Sequence, residues 1–245
     1  MNKSHDYEKW WRDYDEINRL DPGTRIRKEL IIDGIKAPKY KKILDLGCGS
    51  GELLATIKKL YSEKELYGAD VSKEALELLS RRRIVIKSFL LDLDLEKPLP
   101  TGDGYGHYDA IVCSEVIEHL KNWQNVFKLL KNLTKEKSRA RVIITTQSGK
   151  KYPHHVSIGH IQHFEPKEIV SKLEENSFNV IYANKLGWPF MNIKNLMVTH
   201  LLGGNTLESG KISLIQKIGL RVFYYLYKIS LKGFGPQIVV IAERK

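Results

Sequence analysis

The run Asp45-Leu46-Gly47-Cys48-Gly49-Ser50-Gly51 follows a short apolar stretch, residues 43–46, and opens a helix-patterned stretch, residues 52–60. A buried strand that ends in alternate glycines and passes straight into a helix is the start of a βαβ unit. The glycines let the backbone approach a ligand closely. The alternation then continues. Residues 65–70 read as a second strand, and Ser72 suits the N-cap of a helix that buries Ala75, Leu76, Leu78 and Leu79. Residues 84–91, 108–113, 141–146 and 178–183 read as further strands, with 237–242 as the last. Residues 116–133 read as mostly helix and 168–176 as another. Strands separated by helices imply right-handed crossovers and a parallel sheet.

Before this core, residues 1–40 are polar with spaced aromatics and suit a helical lid. Asp21-Pro22-Gly23 is expected to break it, with a second helix from 24 to about 34. Between the last two strands lies an insertion, residues 186–236, longer than an ordinary loop. The expected organisation is one domain: lid 1–40, core 41–185 with 237–245, and insertion 186–236. The chain has 245 residues, 42% of them hydrophobic, which excludes a disordered or collagen-like chain. Lys and Arg outnumber Asp and Glu by 40 to 29, a net charge of +11, which suits an anionic partner or a basic surface. Cys48 and Cys113 are the two cysteines, too few for a disulfide framework. With no apolar leader pattern and no run long enough to span a bilayer, the expected location is cytoplasmic, with peripheral membrane contact as an option.

The glycine loop departs from the dinucleotide fingerprint, which needs its third glycine at 52. Glu52 stands there and would repel a pyrophosphate. A phosphate-free, cationic cofactor such as S-adenosylmethionine (SAM) fits better. Asp70, at the end of the second strand, can accept hydrogen bonds from ribose hydroxyls, and Asp92 or Asp94 from an adenine amino group. This ordered set resembles the class I SAM-dependent methyltransferases over roughly 40–183 plus the last strand. The motifs that carry the resemblance are DLGCGSGE, YGADVS, DLEKPLP and YDAIVCSEVIEHL. It implies a Rossmann-like doubly wound α/β sheet of seven strands, order 3-2-1-4-5-7-6, with strand 7 antiparallel. It implies cofactor contacts at Asp45, Gly47, Cys48, Gly49, Gly51, Asp70, Val71, Asp92, Leu93, Asp94, Ser114 and Glu115, and it favours Asp94 over Asp92 for adenine.

Glu115, Glu118 and His119 would share one face of a helix by their i, i+3, i+4 spacing. Two carboxylates and an imidazole can bind a divalent metal, or His119 can act alone as general base. The stretch is similar to that of ubiquinone-biosynthesis O-methyltransferases. It is also similar to small-RNA 2′-O-methyltransferases, where Glu, Glu and His bind a metal with a further downstream His. His160 or His163 could supply that downstream ligand here; the candidate catalytic residues are His119, Glu115, Glu118 and His160, and the candidate metal set is Glu115, Glu118, His119 and His163. His154, His155, His160 and His163 cluster after the fifth strand, either as site residues or as solvated loop residues.

Residues 211–232 read as one helix, with Ile215, Ile218, Val222, Leu226 and Ile229 on one stripe. Lys217, Arg221, Tyr224 and Lys228 form the other. Such a helix either packs its apolar stripe on the body or lies on an anionic membrane. Trp188, Phe190, Met191 and Met197 add apolar surface for a bulky substrate. Arg81-Arg82-Arg83 reads as a solvated helix end, and no Asn-Pro-Pro-Tyr segment follows the fourth strand, so nucleic acid is not the expected partner. The expected activity is O-methylation of a small or amphipathic acceptor of the quinone-precursor, lipid or saccharide type. The alternatives are an RNA 2′-O-methyltransferase and a non-catalytic SAM-binding protein.

Overall fold

The computed structural model describes residues 20–95, 107–201 and 214–245. Seven strands form one sheet in the order β3-β2-β1-β4-β5-β7-β6. They are β1 Lys42–Leu46, β2 Glu65–Asp70, β3 Lys87–Leu90, β4 Ala110–Ser114, β5 Arg141–Gln147, β6 Phe178–Leu186 and β7 Gln237–Arg244. The five strands β3, β2, β1, β4 and β5 run parallel, while β7 runs antiparallel to both β5 and β6. The expected order and the reversed strand are therefore both present.

The helices are α1 Pro22–Ile35, α2 Glu52–Leu60, α3 Lys73–Arg81, α4 Asn125–Asn132, α5 Pro153–Ser157, α6 Pro166–Glu175, α7 Phe190–Leu201 and α8 Leu214–Lys228. Side-chain alternation along the strands builds a core on each face of the sheet. One face carries Leu44, Ile111, Cys113 and Ile144 against Phe127 of α4 and Ile169 of α6. The other carries Ile43, Ala110, Val112 and Ile143 against α1, α2 and α3 through Ile31, Ile35, Leu54, Ile57 and Leu79.

Several expected boundaries move, each for a local reason. Asp21 breaks the helical run as expected, Leu20 being helical and Asp21 not, but α1 then starts at Pro22 and not at 24: Asp21 Oδ2 accepts from Thr24 N at 2.8 Å, and Pro22 fills the first turn. The third strand starts at Lys87 and not at 84, since Arg83 adopts a left-handed φ of 52° that delays extension. The helix expected over 116–133 is a short 3-10 turn, Ile117–His119, then a loop, then α4. In a continuous helix the Asn122 N–H would bond the Glu118 carbonyl. Here Asn122 N donates to Asp94 Oδ1 at 2.8 Å, and the Glu118 carbonyl accepts from Ile161 N and Gln162 N at 3.0 and 3.3 Å. Residues 1–19 of the expected lid, and the loop with Pro98, Pro100 and glycines at 102, 104 and 106, lie outside the described residues.

At Gly51 φ is 82°, and a Cβ would sit 2.4 Å from Leu79 Cδ1. Gly51→Ala is expected to cost about 2 kcal/mol through backbone strain and this clash. That corresponds to a fall in Tm of about 5 °C. Gly149→Ala has a similar φ of 77° but nothing within 4 Å, so its fall should be smaller. Thermal unfolding of both variants followed by circular dichroism checks the ranking.

Candidate active site

The glycine loop turns at the tip of β1. Gly47 and Cys48 each donate their N–H to the Ala69 carbonyl, at 2.8 and 3.0 Å, which pins the loop to β2. Gly47, Gly49 and Gly51 all have positive φ, and a Cβ on Gly47 would meet Val116 Cγ2 at 2.3 Å. Asp70 braces the turn: Oδ2 accepts from Gly49 N at 2.8 Å and Oδ1 from Ser72 N at 2.9 Å. Asp45 lies in the interior beside it, 3% exposed. Burial, then the Asp70 charge, pushes the Asp45 carboxyl up to about 8. Two buried carboxylates whose charges work against each other suit a cationic ligand, and SAM carries a sulfonium and an ammonium.

The other expected cofactor positions gather at the same strand tips. Val71 is exposed at the end of β2. Asp92 Oδ1 accepts from Asp94 N at 3.0 Å, while Leu93 packs against the core. Asp94 spends one carboxylate oxygen on the Asn122 backbone, so it ties the β3 loop to the loop after β4. Ser114 Oγ shares a hydrogen bond with Thr145 Oγ1 at 2.8 Å at the end of β4.

Glu115 follows with a left-handed φ of 57°, a conformation that non-glycine residues take up at a cost. The turn aims its carboxylate into a polar knot. Oε1 accepts from Thr145 Oγ1 at 3.0 Å and from Gln237 Nε2 at 2.9 Å, and Oε2 accepts from Gln147 Nε2. The Arg27 guanidinium lies 3.7 Å from Oε2 and donates to Gln237 Oε1 at 3.1 Å. This knot joins β4, β5, β7 and α1. Sequence reading missed Arg27, Thr145, Gln147 and Gln237. No motif marks them, because they belong to elements far apart in the chain; only polar residues at strand ends gave any signal.

Glu118 is fully buried. Its Oε2 accepts from Thr146 Oγ1 at 2.8 Å, and its Oε1 has no hydrogen-bond partner. Burial, followed by the Glu115 charge, raises its pKa well above the carboxylate range. The two backbone bonds from Ile161 and Gln162 to the Glu118 carbonyl carry the histidine loop across the sheet tip. His160 thereby meets His119 edge to face, with ring centroids 4.7 Å apart. Ligand atoms of Glu118, His119 and His160 lie within 4.8 Å of one another, as do those of His155, His160 and His163.

Burial, then neighbouring imidazoles, lowers the pKa of His160, and of His155 to about 3; burial also lowers that of His163. The three are therefore neutral at pH 7, and the hydrogen bonds assign their tautomers. The Gly149 carbonyl can only accept, so His163 Nδ1–H donates to it at 3.1 Å. His163 Nε2 then accepts from His160 Nδ1–H at 3.1 Å, which leaves the lone pair of His160 on Nε2. His155 Nδ1 accepts from Tyr152 N at 3.3 Å, so His155 carries its proton on Nε2 and is a poor metal ligand there. Of the expected metal set, Glu118 and His119 stand in a trio with His160. Glu115 is engaged in the polar knot, and His163 stands behind His160 as its tautomer-setting partner.

A family model described as "Methyltransferase domain" matches residues 20–183. The ubiquinone biosynthesis O-methyltransferase of Glaesserella parasuis is 29% identical over 161 residues, covering 58% of this chain and 61% of its own. The chain thus spans about three fifths of the length of that curated relative. The phosphoethanolamine N-methyltransferase 2 of Haemonchus contortus, solved with phosphomonomethylethanolamine and S-adenosylhomocysteine, superposes with a TM-score of 0.64 at 14% identity, covering 100% of this chain and 60% of that one. The [4+2]-cyclase SpnF superposes with a TM-score of 0.59 at 13% identity, covering 90% and 80%. At these identities the structures share the fold, and the fold alone does not choose the reaction.

The buried neutral histidines make the protein acid-sensitive. For His155 the unfolded value near 6.5 exceeds the folded value of about 3, so the unfolded chain binds more protons between them. This stability is complete above pH ~6.5 and is lost as pH falls towards 3. Melting temperature should therefore drop steadily from pH 7 to pH 4, and His155→Asn should flatten that slope. Calorimetric scans across the range test it.

Proposed function

The chain belongs to the methyltransferase-domain family, and on that premise we propose that it transfers a methyl group from SAM to an oxygen of a small or amphipathic acceptor. SAM, when bound, supplies an electrophilic methyl group on a sulfonium. What supports the cofactor reading is the glycine turn beside two buried carboxylates, Asp45 and Asp70, whose charges call for a cation. Asp70, hydrogen-bonded to Gly49 and Ser72, is held in place at the tip of β2, where its carboxylate can meet ribose hydroxyls. Asp92, Leu93, Asp94 and Ser114 line the adjoining strand tips.

The single observation that carries the transfer reading is the lone pair on His160 Nε2 beside Glu118 and His119. Methyl transfer needs proximity and a deprotonated nucleophile. Held neutral by burial, His160 Nε2 accepts a hydrogen bond from the acceptor hydroxyl and orients its oxygen. His163, by accepting from Nδ1–H, keeps that lone pair on Nε2, and the Gly149 carbonyl holds His163 in turn. Glu115, locked by four partners, fixes the backbone that presents Glu118 and His119.

The same trio fits a divalent metal. The test is the buried Glu118 Oε1, which lacks a hydrogen-bond partner and would find one in a cation. Glu118, His119 and His160 would hold it, with His163 as the outer partner of His160. A metal there would lower the pKa of the acceptor hydroxyl. The O-methyltransferase name of the Glaesserella relative supports oxygen as the target atom.

Two measurements test the reading. Asp70→Ala should lower SAM affinity at least about tenfold by titration calorimetry, since charged hydrogen bonds contribute about 1.5–3 kcal/mol. Unchanged affinity would remove the ribose role. Glu118→Gln should melt close to wild type, because burial disfavours the Glu118 charge and the amide oxygen can still accept from Thr146. If the trio binds metal, the same variant should lose about a hundredfold or more in transfer from methyl-labelled SAM, and chelator should do the same to wild type. Full turnover in chelator would leave His160 orienting the acceptor hydroxyl without a metal.

A further inference from the structure

Helix α8 packs on α1 in an orientation that leaves its apolar stripe uncovered. Its inner face is Tyr224 and Tyr227, 6% and 5% exposed. Tyr224 Oη donates to Glu29, the Arg25 guanidinium stacks 3.6 Å over the Tyr224 ring, and Lys228 Nζ lies 3.2 Å from Glu29. This polar clamp turns Ile218, Val222, Tyr225 and Ile229 outward, each more than half exposed. Of the two arrangements the sequence allowed for that stripe, Ile218, Val222 and Ile229 take the outward one, with Leu226 partly buried; the side chain of Ile215 lies outside the described residues. The surface continues at the base of the insertion. Trp188 and Leu231 form an antiparallel bridge, so their side chains share one side of the ribbon, and Phe234 is 64% exposed beside them. Eleven of the nineteen exposed large apolar side chains among the described residues lie within 186–236.

The charge of the segment matches. Residues 187–236 contain six Lys or Arg and one acid, Glu208. Lys217, Arg221 and Lys232 are exposed next to the apolar stripe or at its end. Among the described residues no helix is long and apolar enough to cross a membrane. Apolar side chains outward with a cationic flank are the pattern of a helix that lies in a bilayer interface. The insertion also touches the site. On α7, Lys194 pairs with Asp21 at 2.5 Å and Asn195 hydrogen-bonds His154.

We propose that the outer face of α8, with Trp188, Leu231 and Phe234, docks on an anionic lipid bilayer and brings the catalytic cluster to the membrane surface, where an amphipathic acceptor resides. The acceptor's source rests on the transfer reading above; the docking itself does not. The experiment is co-sedimentation of the full chain with phosphatidylcholine vesicles, with and without about one third phosphatidylglycerol, at low and high salt. Wild type should bind the anionic vesicles at least about tenfold better than the neutral ones at low salt, and lose this at high salt. Val222→Asp with Ile229→Asp should abolish binding. Lys217→Ala with Arg221→Ala and Lys232→Ala should weaken it about a hundredfold, at roughly fivefold per cation. SAM affinity and circular dichroism should stay at wild-type values in both. Wild type that ignores anionic vesicles overturns the proposal, as does binding that neither set of substitutions changes. A dimer by light scattering that Val222→Asp with Ile229→Asp splits, without vesicle binding, makes the face a subunit contact instead. Vesicle binding without any methyl transfer would overturn the transfer reading and leave the docking intact.

Discussion

The Glu118 peptide carbonyl is the hinge on which the arrangement of the histidine cluster hangs. It sits just past the end of β4, where a continuous helix would use it internally. Asp94 removes that option by capturing the Asn122 N–H, and Ile161 and Gln162 take the freed carbonyl. Three consequences follow from the one exchange. The helix ends as a single 3-10 turn, the β3 loop is tied to the loop after β4, and the histidine loop is drawn over the sheet tip. His119 and His160, 41 residues apart by their numbers, meet there. A buried backbone carbonyl must be satisfied, so the exchange is compulsory once the helix stops.

Electrostatics around that hinge sorts the acidic residues into two groups. Glu115 keeps a donor on each carboxylate oxygen and the Arg27 guanidinium nearby. Asp45 and Glu118 are buried with less compensation, and both rise in pKa. Burying carboxylates in this way costs stability that an ordinary core would not give up. Sites of this kind recover the cost when a cationic ligand or metal arrives, which is the usual reason they persist beside a crevice. The two strained carboxylates flank the β1 and β4 tips, the place in a doubly wound sheet where ligands bind.

Helix α1 links the two halves of the molecule. Its inner side chains, Ile31 and Ile35, belong to the core under the sheet. Arg27 reaches the Glu115 knot, Asp21 reaches α7, and Arg25 with Glu29 holds α8 through Tyr224. One helix therefore sets both the polar floor of the site and the direction in which the insertion faces. That α8 turns Tyr224 and Tyr227 inward and Ile218 and Ile229 outward reverses the ordinary preference, and the clamp on Glu29 supplies the reason: charged and aromatic partners across that contact fix the helix rotation.

The sequence alone determined what local pattern can encode. Alternation of apolar strands and helices specified a parallel sheet, the motif resemblance implied its doubly wound order, and glycines at 47, 49 and 51 specified a turn at positive φ. Asp70 at the second strand tip and Ser72 as a cap were legible for the same reason, since each acts within a few residues of itself or on the adjoining loop. The tertiary structure decided everything that depends on which distant groups compete for one hydrogen bond. Periodicity over 116–133 indicated a helix, yet Asp94 and the 161–162 backbone outcompeted it. The i, i+3, i+4 spacing of Glu115, Glu118 and His119 did not put them on one helix face; Glu115 turned to Gln147, Gln237 and Arg27 while Glu118 and His119 turned to His160. The stripe on α8 was visible as a pattern, but its direction was set by Arg25 and Glu29 on another helix. Local preferences are worth tenths of a kcal/mol per residue, whereas an unsatisfied buried polar group costs about 1–3 kcal/mol, so where the two disagree the distant partner wins.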